Sequence, residues 1–144
     1  TGREQAYKVG AAIRSLKIPV TEVKAAQFCR TRDTGYLLGL GPVEVDEGLN
    51  HMIGQRAGVD INMERFKLLA MPPAKGSNTL LVSHTHSSPR NEERILGSLQ
   101  EAELIVFLPD GRGGAEPVGR IPVAEWDNLV KLNNPGNSIS QSKR

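Results

Sequence analysis

An apolar run, Leu80-Leu81-Val82, stops at a polar one, Ser83-His84-Thr85-His86-Ser87-Ser88. The three apolar residues predict a short buried strand, and the hydroxyls and imidazoles that follow cannot continue it through a core. In an open α/β sheet, ligands bind beyond the carboxyl ends of strands, which is where His84 is predicted to sit. A second polar cluster, Cys29-Arg30-Thr31-Arg32-Asp33-Thr34, also follows a strand-like segment, Val23 to Phe28, and opens a helix-like one. One strand end offers imidazole and the other guanidinium. Together they make an anion pocket, and the planar fork of an arginine suits a phosphate.

The rest of the chain alternates between the same two kinds of element. Thr1-Gly2-Arg3-Glu4 has the form of a capping box, and Ala6, Val9, Ile13 and Leu16 then mark one face of an amphipathic helix. Lys17-Ile18-Pro19 ends it, and Val20 to Phe28 predicts the strand before the Arg30 cluster. A helix is expected from Thr31 to Leu38, stopped by Gly39 and Gly41-Pro42, with a short strand at Val43 to Val45. Asp46 to Gly58 reads as a loop, and Ile61 to Met71 as a helix ended by Pro72-Pro73. Strand Thr79 to Ser83 follows, then a short helix from Ser88-Pro89 to Gly97. Leu104 to Leu108 predicts a buried strand, Pro109 to Gly114 a turn, and Ala115 to Ile121 its partner, placed at an edge by Pro117. Val123, Trp126, Leu129 and Val130 make a last helical stripe. From Asn133 onward almost nothing is apolar, and a frayed tail is expected. Strands alternating with helices give a layered α/β domain.

Composition narrows the function classes. The 144 residues suit one domain, and 38% apolar with 24% charged content fits a globular chain. Aromatics at 4% and a formal charge of +2, with Arg and Lys dispersed, argue against a nucleic-acid partner. No run approaches the roughly 18 apolar residues of a membrane span, so no membrane partner is expected either. A single cysteine, Cys29, forms no internal disulfide, which argues against a disulfide-framed secreted domain while leaving periplasm, exterior and cytoplasm open. Oligomeric state is equally open.

In their order along the chain, Thr1-Gly2-Arg3-Glu4-Gln5-Ala6, Cys29-Arg30-Thr31-Arg32-Asp33-Thr34-Gly35 and Leu81-Val82-Ser83-His84 resemble the histidine phosphatase superfamily, in its phosphoglycerate mutase-like branch. Phe107-Leu108-Pro109-Asp110-Gly111 and Val123-Ala124-Glu125-Trp126 resemble its small bacterial members. The resemblance spans most of residues 1–132, leaving 133–144 as a flexible tail. It implies a three-layer α/β/α sandwich with a mostly parallel sheet, phosphoglycerate mutase-like and truncated at the N-terminus. It also implies hydrolysis of a small phosphomonoester through a phosphohistidine, with no cofactor. Arg30 matches the family's phosphate-binding arginine. His84 matches its second histidine, a catalytic and phosphate-binding residue that neutralises charge on equatorial oxygens. Thr85, His86 and Glu47 are possible pocket residues, and Glu47 or Asp46 stand where the family's proton donor is expected.

Two departures accompany the resemblance. The family's nucleophilic histidine lies in an Arg-His-Gly strand upstream of the position matched by Thr1, and none of His51, His84 and His86 has those neighbours. Thr85 stands where the family has glycine, and its Cβ would crowd a phosphate approaching the backbone. If an ordered domain lacks that central strand, another element or chain is expected in the gap. The alternative reading is a non-catalytic anion-binding or interaction module. A third is metal hydrolysis at His84-x-His86, whose rings share one side of an extended segment, although no third ligand follows at metal spacing. Cys29 is expected to be a buried structural cysteine. Arg32, Arg90 and Arg94 read as solvated or paired with Glu92 and Glu93, and Gly111 to Gly114 as a hairpin turn rather than a phosphate cradle.

Overall fold

The computed structural model describes residues 1–50, 61–85 and 98–134 together with Leu96 and Gly136. The loop expected over residues 51–58, most of the helix over 89–97 and most of the tail therefore lie outside the described residues, as do His51, His86, Arg90 and Arg94.

Helix α1 (Gly2–Ser15) starts from the expected capping box: Thr1 Oγ1 accepts the Glu4 amide at 3.3 Å, and the Glu4 carboxylate accepts from the Thr1 nitrogen at 2.6 Å. Its buried stripe is Ala6, Val9, Gly10, Ala12 and Ile13. Strand β1 (Val20–Ala25) leads into helix α2 (Cys29–Leu38), which ends at Gly39 in the left-handed conformation, φ 62°. Gly10 lets α1 and α2 touch backbone to backbone. A Cβ there would lie 1.9 Å from the Leu38 carbonyl oxygen. From α1, Arg14 Nη1 also donates to the Leu38 and Gly39 carbonyls, at 2.6 and 3.0 Å, closing the end of α2.

Strand β2 (Val43–Val45), a 3-10 turn (Glu47–Leu49), helix α3 (Ile61–Ala70) and strand β3 (Asn78–Val82) come next. β1 is the middle strand of a parallel sheet ordered β2-β1-β3. The register aligns Ala25 with Val45 on one side and with Val82 on the other, so all three strands end level. β4 (Leu104–Pro109) and β5 (Ala115–Ile121) form a separate antiparallel pair, and helix α4 (Glu125–Asn133) follows. Val9, Ala12, Ile13, Leu38 and Trp126 form the core, against which Leu80, Val82, Leu104 and Ile121 pack from the strands. The mixed α/β class stands, with a three-stranded parallel sheet and four helices among the described residues. None of the helices searched is long and apolar enough to cross a membrane.

Several expectations need correction. β1 stops at Ala25, because Ala26 to Phe28 turn away to start α2, and α2 begins two residues before Thr31. Leu80 to Val82 are half-buried rather than buried. Among the described residues no strand pairs the second edge of β3. The run Leu104 to Leu108 is not buried throughout, since Val106 is 37% and Leu108 61% exposed. A two-stranded ribbon covers one face only, so alternate residues face out however apolar they are. Pro117 sits opposite Phe107 next to a register shift, within a pair that has only edges.

Candidate functional site

The level strand ends bring three connecting segments to one carboxyl edge: Ala26 to Phe28 after β1, Asp46 to Asn50 after β2, and Ser83 to Thr85 after β3. Ala25 and Ala26 are fully buried, and the Ala26 amide still donates to the Val82 carbonyl at 3.0 Å. Thr31 then fixes the turn into α2. The residue is buried, and its hydroxyl lies 2.9 Å from the Ala26 carbonyl and 2.8 Å from that of Phe28.

Arg30, in the first turn of α2, reaches His84 beyond β3 across 54 residues of sequence. Its Nε and Nη2 stand 3.1 and 2.9 Å from His84 Nδ1. A guanidinium can only donate, so Nδ1 carries the lone pair, and a neutral His84 holds its proton on Nε2. Phe28 joins the two. Its ring meets the imidazole edge-on at 5.2 Å and 84°, and the Arg30 guanidinium lies 5.6 Å from its centroid. As the N-cap residue of α2, Phe28 makes no side-chain cap bond. The positive end of the helix dipole thus faces the same edge as the arginine.

The other candidates divide. Thr85 is exposed beside His84. Glu47 is exposed in the 3-10 turn at the same edge, and Asp46 caps that turn, its Oδ1 accepting the Gly48 amide at 2.9 Å. His86 lies outside the described residues. Cys29 is exposed, against the expectation of a buried thiol, because the first turn of α2 projects it away from the sheet. Arg32, one turn on, points Nη2 at its sulfur from 3.7 Å. Among the described residues, no group of three His, Cys, Asp or Glu is gathered as a metal would require.

Phe28, Asn50 and Ser83 are the residues that sequence reasoning missed. A hydrophobic residue just before a helix carries no signal that its ring will touch an imidazole from another strand. The groups assembled here are a fixed guanidinium fork, an imidazole and a helix N-terminus, which together can bind and partly neutralise an oxyanion. Comparisons with protein-family models, with curated proteins and with solved structures found no match for this chain.

Proposed function

We propose that this chain is the phosphate-ester-binding domain of a histidine phosphatase-like hydrolase, with Arg30 and His84 seating the phosphoryl group. The observation that carries the reading is the convergence of those two side chains at the carboxyl edge of one parallel sheet. A phosphoryl oxygen takes the place of His84 Nδ1 as acceptor for the Arg30 fork. The imidazole, once protonated on Nδ1, then donates to a second oxygen. The uncapped start of α2 favours negative charge at the same place.

The finer architecture belongs to the same proposal: a three-layer, phosphoglycerate mutase-like sandwich with a mostly parallel sheet. Its support is the parallel order β2-β1-β3 and the second edges of β3 and β4, which pair with no strand among the described residues. In this reading the nucleophile belongs to an Arg-His-Gly strand, which the 144 residues do not contain. His84 acts on phosphoryl oxygens and forms no covalent bond. The 144-residue chain is therefore expected to show negligible phosphatase turnover, because phosphohistidine formation needs a histidine in line with the leaving oxygen.

The test is kcat/KM for a small phosphomonoester in a chain extended upstream to include that strand. Arg30→Ala is expected to lose on the order of 2–4 kcal/mol of transition-state stabilisation, and Arg30→Lys less, since lysine keeps the charge without the fork. Near wild-type turnover in Arg30→Ala overturns the assignment. Turnover by the 144-residue chain itself, abolished in His84→Ala, would show a different nucleophile.

A further inference from the structure

Two side chains outside the Arg30–His84 pair, Asn50 and Ser83, tie the segments that carry it to one buried turn. Leu49 and Asn50 close the 3-10 turn after β2 and are buried, at 1% and 3% exposure. Asn50 Oδ1 accepts the Gln27 amide at 2.9 Å, in the segment that leads to Arg30. The Leu49 carbonyl accepts the Ser83 hydroxyl at 2.7 Å, one residue before His84. Behind them Arg65 of α3, itself buried, donates Nη2 to the Asn50 carbonyl at 3.0 Å. One two-residue stretch is thus bonded to both loops that build the site and anchored from a helix.

We propose that Asn50 and Ser83 are positioning residues of the anion seat, holding the Arg30 turn and the His84 strand end in a single arrangement. The ladder pairs of β1 and β3 end at Ala25 and Val82. Beyond them one backbone bond, from Ala26 to Val82, still joins the two segments, and both functional side chains lie further out. Besides that bond and the Phe28 ring, the side-chain tethers to Leu49 and Asn50 tie the two segments to one another. A misplacement of about 1 Å in an oriented site costs on the order of a hundredfold. The ligand in this inference rests on the phosphate reading, but the tethering is a property of the free protein.

The experiment uses the 144-residue chain with nitrogen-15-labelled arginine and histidine. It compares wild type, Asn50→Ala, Ser83→Ala and Ser83→Thr. Three readouts are taken: thermal melting, the Arg30 Nε–H and His84 ring resonances of the free protein, and orthophosphate affinity. Wild type is expected to show a hydrogen-bonded Arg30 Nε–H coupled to His84. Both alanine variants are expected to melt cooperatively yet lose that signal, with orthophosphate binding weakened roughly tenfold to a hundredfold. Ser83→Thr, which keeps the hydroxyl, restores both.

A wild-type signal and affinity in Ser83→Ala would overturn the positioning proposal while leaving the phosphate reading intact, as would a wild type with no Arg30–His84 signal. If wild type shows the signal but binds no orthophosphate, the phosphate reading falls and the resonances alone judge the tethers. If Asn50→Ala does not fold, the two Ser83 variants decide.

Discussion

Arg30 and His84 meet over the ring of Phe28, which contacts both side chains. Edge-on aromatic contacts contribute about 0.5–1.5 kcal/mol beyond area burial, and an exposed guanidinium over a ring about 0.5–1 kcal/mol. Phe28→Leu keeps the bulk but loses both contacts. It is expected to lower stability by about 1–2 kcal/mol, read as a lower urea midpoint with an unchanged slope. An unchanged midpoint would show that the ring is a bystander. Arg30 and His84 were legible in the sequence because each follows an apolar run that ends abruptly, and strand ends are where such groups gather. Phe28, Asn50 and Ser83 were not, since each acts through a partner on a distant segment. Cys29 was misread because a thiol with no general-base partner in the sequence reads as structural and buried, whereas in the first turn of α2 it is exposed.

Among the elements, α1 packs on α2 backbone to backbone at Gly10, and a two-bond ion pair lies beside the β4–β5 ribbon. A methyl group at position 10 would meet the Leu38 backbone, which has no rotamer to yield. Gly10→Ala should cost about 1–3 kcal/mol or more by forcing the helices apart, despite alanine's better helix propensity. Thermal unfolding of the variant checks it, and a stabilised variant would mean that the contact is looser. Near β4, Arg120 Nε and Nη2 grip the two Glu103 oxygens at 2.8 and 2.7 Å, and Arg120 also donates to the Ser98 hydroxyl and carbonyl. The Glu103 side chain is 5% exposed. Hydrogen bonds from Arg120 first, and from the Gln100 amide, hold its carboxyl below the usual carboxylate range. A depressed carboxylate adds stability above its unfolded pKa and loses it as pH falls through the folded one. Glu103→Gln should therefore melt earlier than wild type at neutral pH, with the gap closing in acid below the carboxylate range. A gap that persists there would assign the loss to packing. Helix α1 and the β4–β5 hairpin were readable because capping, periodicity and turn residues are local signals. The exposed face of β4 was not, because an apolar run of five does not say whether one face or two will be covered.

At the scale of the molecule, the register of three parallel strands builds the candidate site. Because Val45, Ala25 and Val82 end level, loops separated by dozens of residues open at one edge, and Arg30 can reach His84. The alternation of strands and helices foretold an α/β layer and this edge. The pairing order β2-β1-β3 was not visible, since sequence neighbours in a parallel sheet need not be sheet neighbours. Nor does local patterning say which strand edges are left to pair. We propose that this edge seats a phosphoryl group between Arg30 and His84. Calorimetric titration of the 144-residue chain with orthophosphate at neutral pH, for wild type and Arg30→Ala, tests it most directly. Saturable one-to-one binding by wild type, weakened at least about tenfold by loss of the charge-assisted fork, is the predicted result. Equal binding by both proteins, or none by wild type, would contradict it.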